Sequence, residues 1–240
     1  MSRSSGIVWL LLLTACGGAS PAPAPTVQPA HDHHARHSHE PDDHFAGPQG
    51  HRFEHADEWA PRFDDPERDA WQRPDLVVKH LSLSDGMTVA DLGAGTGYFL
   101  PHLSRAVGTS GKVLGLDVEP DMVRYMNERA AREQLANVQA RVVGTDDPEL
   151  AAASVDRILI VDTWHHIGAR AAYAGKLAAA LKPGGAVYIV DFTMETERGP
   201  PPKHRLRSAD VIAELTAAGL RAELIAEDLP DQYIVVGRKQ

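Results

Sequence analysis

The sequence predicts an α/β domain on a doubly wound, mostly parallel seven-stranded sheet that closes with an antiparallel hairpin. Three observations lead there. Short runs rich in β-branched residues alternate with longer segments whose apolar residues recur at i, i+3 and i+4. A glycine-rich turn, "VADLGAGTGYF" (89–99), follows the first such run directly, and the last two strand-like runs are separated only by residues 227–231. Alternation at this spacing makes right-handed βαβ units with helices on both sheet faces. So short a final connection leaves no room for a helix, which makes the last pair antiparallel.

The first strand is expected at 87–92, with Asp91 near its end. Gly93, Gly95 and Gly97 then turn the chain, and a helix starts near Tyr98. Glycine is needed where the backbone bends tightly or must approach a ligand without a Cβ in the way. A second strand, 112–116, runs into Asp117, and a helix with Met122, Tyr125 and Met126 on its inner face follows. The third strand, 138–143, leads to "VGTDDPEL" with Asp146, and the fourth, 155–161, ends in "ILIVDTWHHI". The next helix buries Tyr173, Leu177 and Leu181 and closes at "KPGG", where Gly184 suits a helix end. After a fifth strand at 186–191 come a proline-rich loop and a helix with Ser208 as N-cap, burying Val211, Ile212, Leu215 and Ala218. Strands at 221–226 and 232–236 complete the sheet.

Open α/β sheets bind ligands at the carboxyl ends of their strands. A dinucleotide fingerprint, G-x-G-x-x-G, would need a third glycine where this chain has Tyr98. The pattern instead resembles motif I of the class I S-adenosylmethionine-dependent methyltransferases, a Rossmann-like fold, with an acidic residue just before G-x-G-x-G. The resemblance covers about residues 53–239. It implies a cofactor site of Asp91, Gly93, Gly95, Gly97 and Tyr98, with Asp117 on the ribose diol, Asp146 on the adenine amino group and Asp162 beside the cofactor. Asp117 lies twenty residues after Gly97, about where a carboxylate meets a ribose. Tyr98 or Trp164 would add a cation–π contact to the sulfonium. Each acidic residue alone could be a cap or a turn; Asp146-Asp147-Pro148 also reads as a helix start.

On the acceptor side the resemblance points to Trp164, His165 and His166. His165 or His166 would take the acceptor's proton near neutral pH; the competing reading is that one of them packs in the core or caps the next helix. Trp71, on a helical cover, and Lys203 and His204, on the loop after the fifth strand, are candidate substrate contacts. "HRFEHADEWAPRFDDPERDAWQRPDLVV" and "DTWHHIGAR" resemble a bacterial branch of small-molecule methyltransferases related to quinone-biosynthesis and arsenite-methylating enzymes. Arsenite methylation in that group relies on several thiols, and this chain has one cysteine.

That cysteine ends "IVWLLLLTACGG" (7–18). The apolar run is too short to span a bilayer, which takes about 20 residues, and suits a secretory signal core. Leu13-Thr14-Ala15-Cys16 resembles the lipobox of bacterial lipoproteins, which implies cleavage before Cys16 and a lipid on its thiol. Residues 1–15 are thus expected to be a signal peptide and 16–52 a disordered tether rich in proline, alanine and histidine, with the methyltransferase domain at 53–240. His31, His33, His34, His37 and His39 form a tract that can chelate a divalent metal weakly, although the spacing matches no fixed tetrahedral site.

With 24 basic and 33 acidic residues the net charge is −9. Such a balance argues against a nucleic-acid partner, which calls for a basic footprint. The expected partners are a small-molecule methyl acceptor and, through the lipid, a membrane; no protein partner is inferable. The expected activity is methyl transfer in a lipid-anchored envelope protein facing the periplasm, or in the cytoplasm if the signal is not processed. The competing class is a non-catalytic periplasmic lipoprotein that binds a small molecule or metal on the same fold.

Overall fold

The structure is a computed structural model and describes residues 53–225 and 229–240. The signal peptide, the tether, Cys16 and the histidine tract from His31 to His39 lie outside the described residues, as does Ala226 at the end of the expected sixth strand. Among the described residues, no helix is long and apolar enough to cross a membrane.

Seven strands form one sheet: β1 (Thr88–Leu92), β2 (Lys112–Asp117), β3 (Val138–Val142), β4 (Val155–Val161), β5 (Leu181–Phe192), β6 (Arg221–Ile225) and β7 (Gln232–Arg238). Their order is β3-β2-β1-β4-β5-β7-β6. Strands β1 to β5 pair in parallel, and β7 runs antiparallel to both β5 and β6. The chain reverses direction across the sheet between β1 and β4, the switch point at which such sheets hold ligands.

Among the described residues three short helices precede the sheet: α1 (Ala56–Phe63), α2 (Arg68–Gln72) and α3 (Pro74–His80). Between and after the strands come α4 (Leu100–Val107), α5 (Pro120–Arg132), α6 (Arg170–Ala180) and α7 (Ser208–Ala217). Side chains alternate across a strand, so β4 supplies both cores. Ile158 and Ile160 pack with Leu177 of α6 and Leu215 of α7, whereas Leu159 and Val161 pack with Leu100 and Leu103 of α4 and Met126 of α5. All these side chains but Val161 are fully buried. Burial of each is worth about 1.5–3 kcal/mol, which explains the unbroken apolar run from Ile158 to Val161 in β4.

Two expected helix boundaries differ. Gly184 does not end α6: the helix stops at Ala180, and Leu181 already pairs with Val155. Residues 182–185 interrupt the ladder before Ala186 pairs with Arg157. The carbonyls at the end of α6 are met by a different device, since Lys239 Nζ donates to Ala178 O and Leu181 O, both at 2.7 Å. Ser208 is the first residue of α7 rather than its cap, and no side-chain cap bond forms. Asp210 supplies the first-turn negative charge, paired with Arg207 at 2.9 Å.

Candidate active site

The glycine turn is fixed from three sides. The N–H groups of Gly93 and Ala94 both donate to Leu116 O on β2 (2.8 and 3.1 Å). Gly93 has φ +70°, and a Cβ there would fall 2.3 Å from Thr163 Oγ1, so the turn after β1 and the turn after β4 touch only because this residue is glycine. Asp117, at the end of β2, accepts from Gly95 N–H (2.8 Å) and Glu119 N–H (3.0 Å). The acid expected at a ribose and the loop expected at the cofactor are thus one hydrogen-bonded unit.

Four strands end on carboxylates at this edge: Asp91 on β1, Asp117 on β2, Asp162 just after β4 and Asp191 on β5. Asp91 is 3% exposed, and burial pushes its carboxyl up to about 7, with Arg68 pulling it down and Asp117 adding to the rise. Asp162 is also raised to about 7 by burial, against the opposing pull of Arg68. Burial raises Asp117 too, and the backbone N–H bonds oppose it. Asp162 sits at φ +52°, an uncommon conformation for a residue with a Cβ.

Arg68 comes from the cover. Its guanidinium donates to Phe63 O (2.7 Å) and Gln72 Oε1 (3.0 Å), lies 3.9 Å from Asp162 Oδ2 and stacks 4.1 Å from the Tyr98 ring centre. Gln72 Nε2 donates to Gln232 Oε1 (2.6 Å), and Gln232 Nε2 donates on to Asp162. A second fastening holds the α1–α2 connection, where Asp64 accepts from the Thr96 hydroxyl (2.9 Å) and Arg129 (2.8 Å). Phe63 rests on the loop, 3.5 Å from where a Gly95 Cβ would lie. Helices α1 and α2 therefore sit on the glycine turn through both polar and apolar contacts.

The expected site residues divide. Asp91, Gly93, Gly95, Gly97, Asp117 and Asp162 meet at the switch point. Tyr98 is there too, with the Arg68 guanidinium over its ring and its hydroxyl donating to Asp69. Asp146 is exposed on the loop after β3, where its carbonyl accepts from Lys176 (2.7 Å). Trp164 does not face an acceptor. It is fully buried among α6 and α7, its indole N–H bonded to Glu214 (2.8 Å) and its ring against Tyr173, so an apolar body with one satisfied donor belongs to the core. His165 is buried with Nδ1 against Asp191, and the His166 ring lies tilted beside it at 4.2 Å, with Phe53 edge-on to His166 at 6.0 Å. Trp71 is half-buried beside Phe192 (6.1 Å), and from the loop after β5 Arg198 lies over its ring (5.0 Å). Lys203 stands exposed and His204 half-buried on a 3-10 turn, Pro202–His204. Among the described residues no cluster of three metal-ligating side chains occurs.

A methyltransferase-domain family profile matches residues 83–220. The chain belongs to that methyltransferase family. A solved S-adenosylmethionine-dependent methyltransferase from Aquifex aeolicus is 32% identical with a TM-score of 0.71, over 75% of this chain and 96% of that one. An uncharacterized methyltransferase of Schizosaccharomyces pombe is 27% identical over 59% of this chain, and the nocamycin O-methyltransferase of Saccharothrix syringae is 30% identical over 51%. The chain spans 50% and 41% of the length of those two relatives. The matched segment takes in the glycine turn, Asp117, Asp162 and Asp191, while α1 to α3 precede it.

Four residues of the candidate site were not marked by sequence reasoning: Arg68, Gln232, Asp64 and Asp191. Asp191 carried a signal, an acid ending an apolar strand next to one already suspected. The Gln72–Gln232 pair, 160 residues apart, carried none.

Proposed function

We propose that this methyltransferase moves the methyl group of S-adenosylmethionine to a small-molecule acceptor. When bound, that cofactor supplies a methyl on a positively charged sulfur, which keeps the bonding electrons as the methyl departs. The donor set fits such a ligand. Asp91 and Asp162 are short of positive charge, with Arg68 the cation that acts on both, and Asp117 ends β2 with acceptor oxygens suited to a diol. Asp91, Gly93, Gly95, Gly97, Asp117 and Asp162 would hold the cofactor, and Asp146 would reach its adenine from the loop after β3.

The protein's own work is then alignment and proton removal. Holding two reactants in line can supply about 7–11 kcal/mol of a barrier, and the cover formed by α1 and α2 excludes water while they are held. His165 or His166 takes the acceptor's proton; Trp71, Lys203 and His204 line the acceptor's side. The observation that carries this reading is the bond from Gly95 N–H to Asp117, which unites loop and acid in one cradle. Calorimetric titration of the full chain with S-adenosylmethionine tests it. Saturable one-to-one binding that D117A weakens more than tenfold is the expected result, and absence of binding by the unsubstituted chain refutes it.

In the same reading Cys16 carries a lipid and the domain works in the bacterial envelope. Labelling of cells with a palmitate analogue, followed by C16S, tests the anchor, and retention of label by C16S refutes it. The histidines from His31 to His39 would hold a divalent metal weakly; zinc titration of chains with and without them decides.

A further inference from the structure

Arg68 reaches the switch point from α2, outside the matched segment 83–220. Its side chain is 14% exposed. Three of its five N–H groups have acceptors: Nε and Nη2 donate to Gln72 Oε1 (3.3 and 3.0 Å), and Nη1 donates to Phe63 O (2.7 Å). One N–H on each terminal nitrogen has no acceptor within hydrogen-bond reach among the described residues. Asp162 Oδ2 stands 3.9 Å from Nη2, too far for such a bond. The guanidinium is held where it is, with the Tyr98 ring centre 4.1 Å away and Gln72 itself fastened to Gln232 at 2.6 Å. A mostly buried guanidinium with donors to spare on both terminal nitrogens suits a carboxylate.

We propose that Arg68 binds the carboxylate at the amino-acid end of S-adenosylmethionine and thereby makes that carboxylate a requirement of the site. This deepens the methyl-transfer reading and rests on it. Charge supports the assignment. The ligand carries an ammonium, a sulfonium and one carboxylate. Asp91 and Asp162, once ionised, and Arg68 present the reverse, two negative groups and one positive. Asp117 and Asp191 stand apart from this count, the first engaged by the N–H groups of Gly95 and Glu119 and the second by His165. Arg68 acts on both Asp91 and Asp162. As the ligand's two cations take over those carboxylates, the spare donors of the guanidinium are left to the ligand's anion, and every charge meets an opposite one.

The test compares two ligands by calorimetry on the full chain: S-adenosylmethionine and its decarboxylated form, which keeps the adenosyl sulfonium and the amine and lacks only the carboxylate. An acidic site alone would favour the decarboxylated form, whose net positive charge is larger. The expected wild-type result is the opposite, with S-adenosylmethionine bound at least tenfold more tightly. In R68M that preference is expected to vanish or reverse. In R68K, which keeps the charge without the planar fork, it is expected to survive only in part. A cover merely loosened by substitution weakens both ligands alike, so the ratio reads the carboxylate contact and not the fold. A wild-type chain that binds the decarboxylated form as tightly, or a full preference kept by either variant, overturns the proposal; R68K carries the test if R68M fails to fold. Absence of S-adenosylmethionine binding refutes the methyl-transfer reading itself, whereas equal binding of the two ligands refutes this assignment alone.

Discussion

The carboxylates at the switch point make cofactor affinity a function of pH. Asp91 is held near 7 by burial, about three units above an ordinary aspartate. Near pH 6 this carboxyl is about nine-tenths protonated and a cationic ligand meets a neutral group; near pH 8 it is ionised. If binding a sulfonium returns the carboxyl to the ordinary range, linkage makes the apparent Kd about tenfold larger at pH 6 than at pH 8. Asp162 stands at a similar value and shares Arg68 with Asp91. The two then titrate as a pair, and up to about a hundredfold is available if both must ionise. Calorimetry at both pH values, in two buffers of different ionisation heat, measures affinity and proton count together. Near pH 6 about one to two protons should be released per ligand bound, and S-adenosylhomocysteine, without the sulfonium charge, should show a shallower dependence. A Kd independent of pH, or proton uptake on binding, would refute the assignment of these carboxylates to the cofactor's charge.

Other consequences follow from single contacts. G93A places a Cβ 2.3 Å from Thr163 Oγ1 at φ +70°; strain of about 1–3 kcal/mol should cost cofactor affinity at least tenfold by titration, and unchanged affinity would contradict the geometry. W164F removes the donor to Glu214 and should lower urea-unfolding stability by about 1–3 kcal/mol while leaving cofactor affinity within twofold, as befits a core residue. Arg205 is buried with its guanidinium on the carbonyls of Pro200 (2.7 Å), Thr193 (3.2 Å), Met194 (3.2 Å), Thr196 and Arg198 (3.1 Å). R205K cannot reproduce that fork, so proteolytic cleavage within residues 193–205 should quicken several-fold without loss of the sheet's circular dichroism. In the ligand-free chain, raised Asp91, Asp162 and His165 all act in one direction: stability present in acid is lost as pH climbs through 7. The unfolding midpoint should fall from pH 5.5 to pH 8, and D91N should flatten that fall.

What the sequence disclosed and what it withheld have separate physical causes. The strands were legible because a sheet covered on both faces demands apolar side chains at nearly every position, and β4 met that demand from Ile158 to Val161. The glycine turn was legible because positive φ and a missing Cβ leave few residue choices. The end of α6 was misread because the usual sign of a helix stop, a glycine, stood in the next strand, while Lys239 from the far end of the chain met the carbonyls. Trp164 was misread for a related reason. Its position after a strand-end acid matches a site residue, but its direction is set by Glu214 on α7, and nothing local encodes that pairing.

The cover illustrates the same limit and explains its own chemistry. Helices α1 and α2 bury few residues, Ala56 and Gln72, so apolar burial alone gives them little hold on the sheet. Their attachment runs instead through Asp64 to Thr96 and Arg129, and through Arg68 and Gln72 to Gln232 and Asp162. Buried polar bonds of this kind hold strongly only while every partner is present, and one of those partners, Asp162, belongs to the cofactor's side of the proposed reaction. A cationic ligand that satisfies Asp91 and Asp162 competes with Arg68 for the same negative charge. The surplus of carboxylates over cations at the switch point thus weakens the empty fold and favours the loaded one, and it sets both consequences in Arg68, the cation that the cover brings to Asp91 and Asp162.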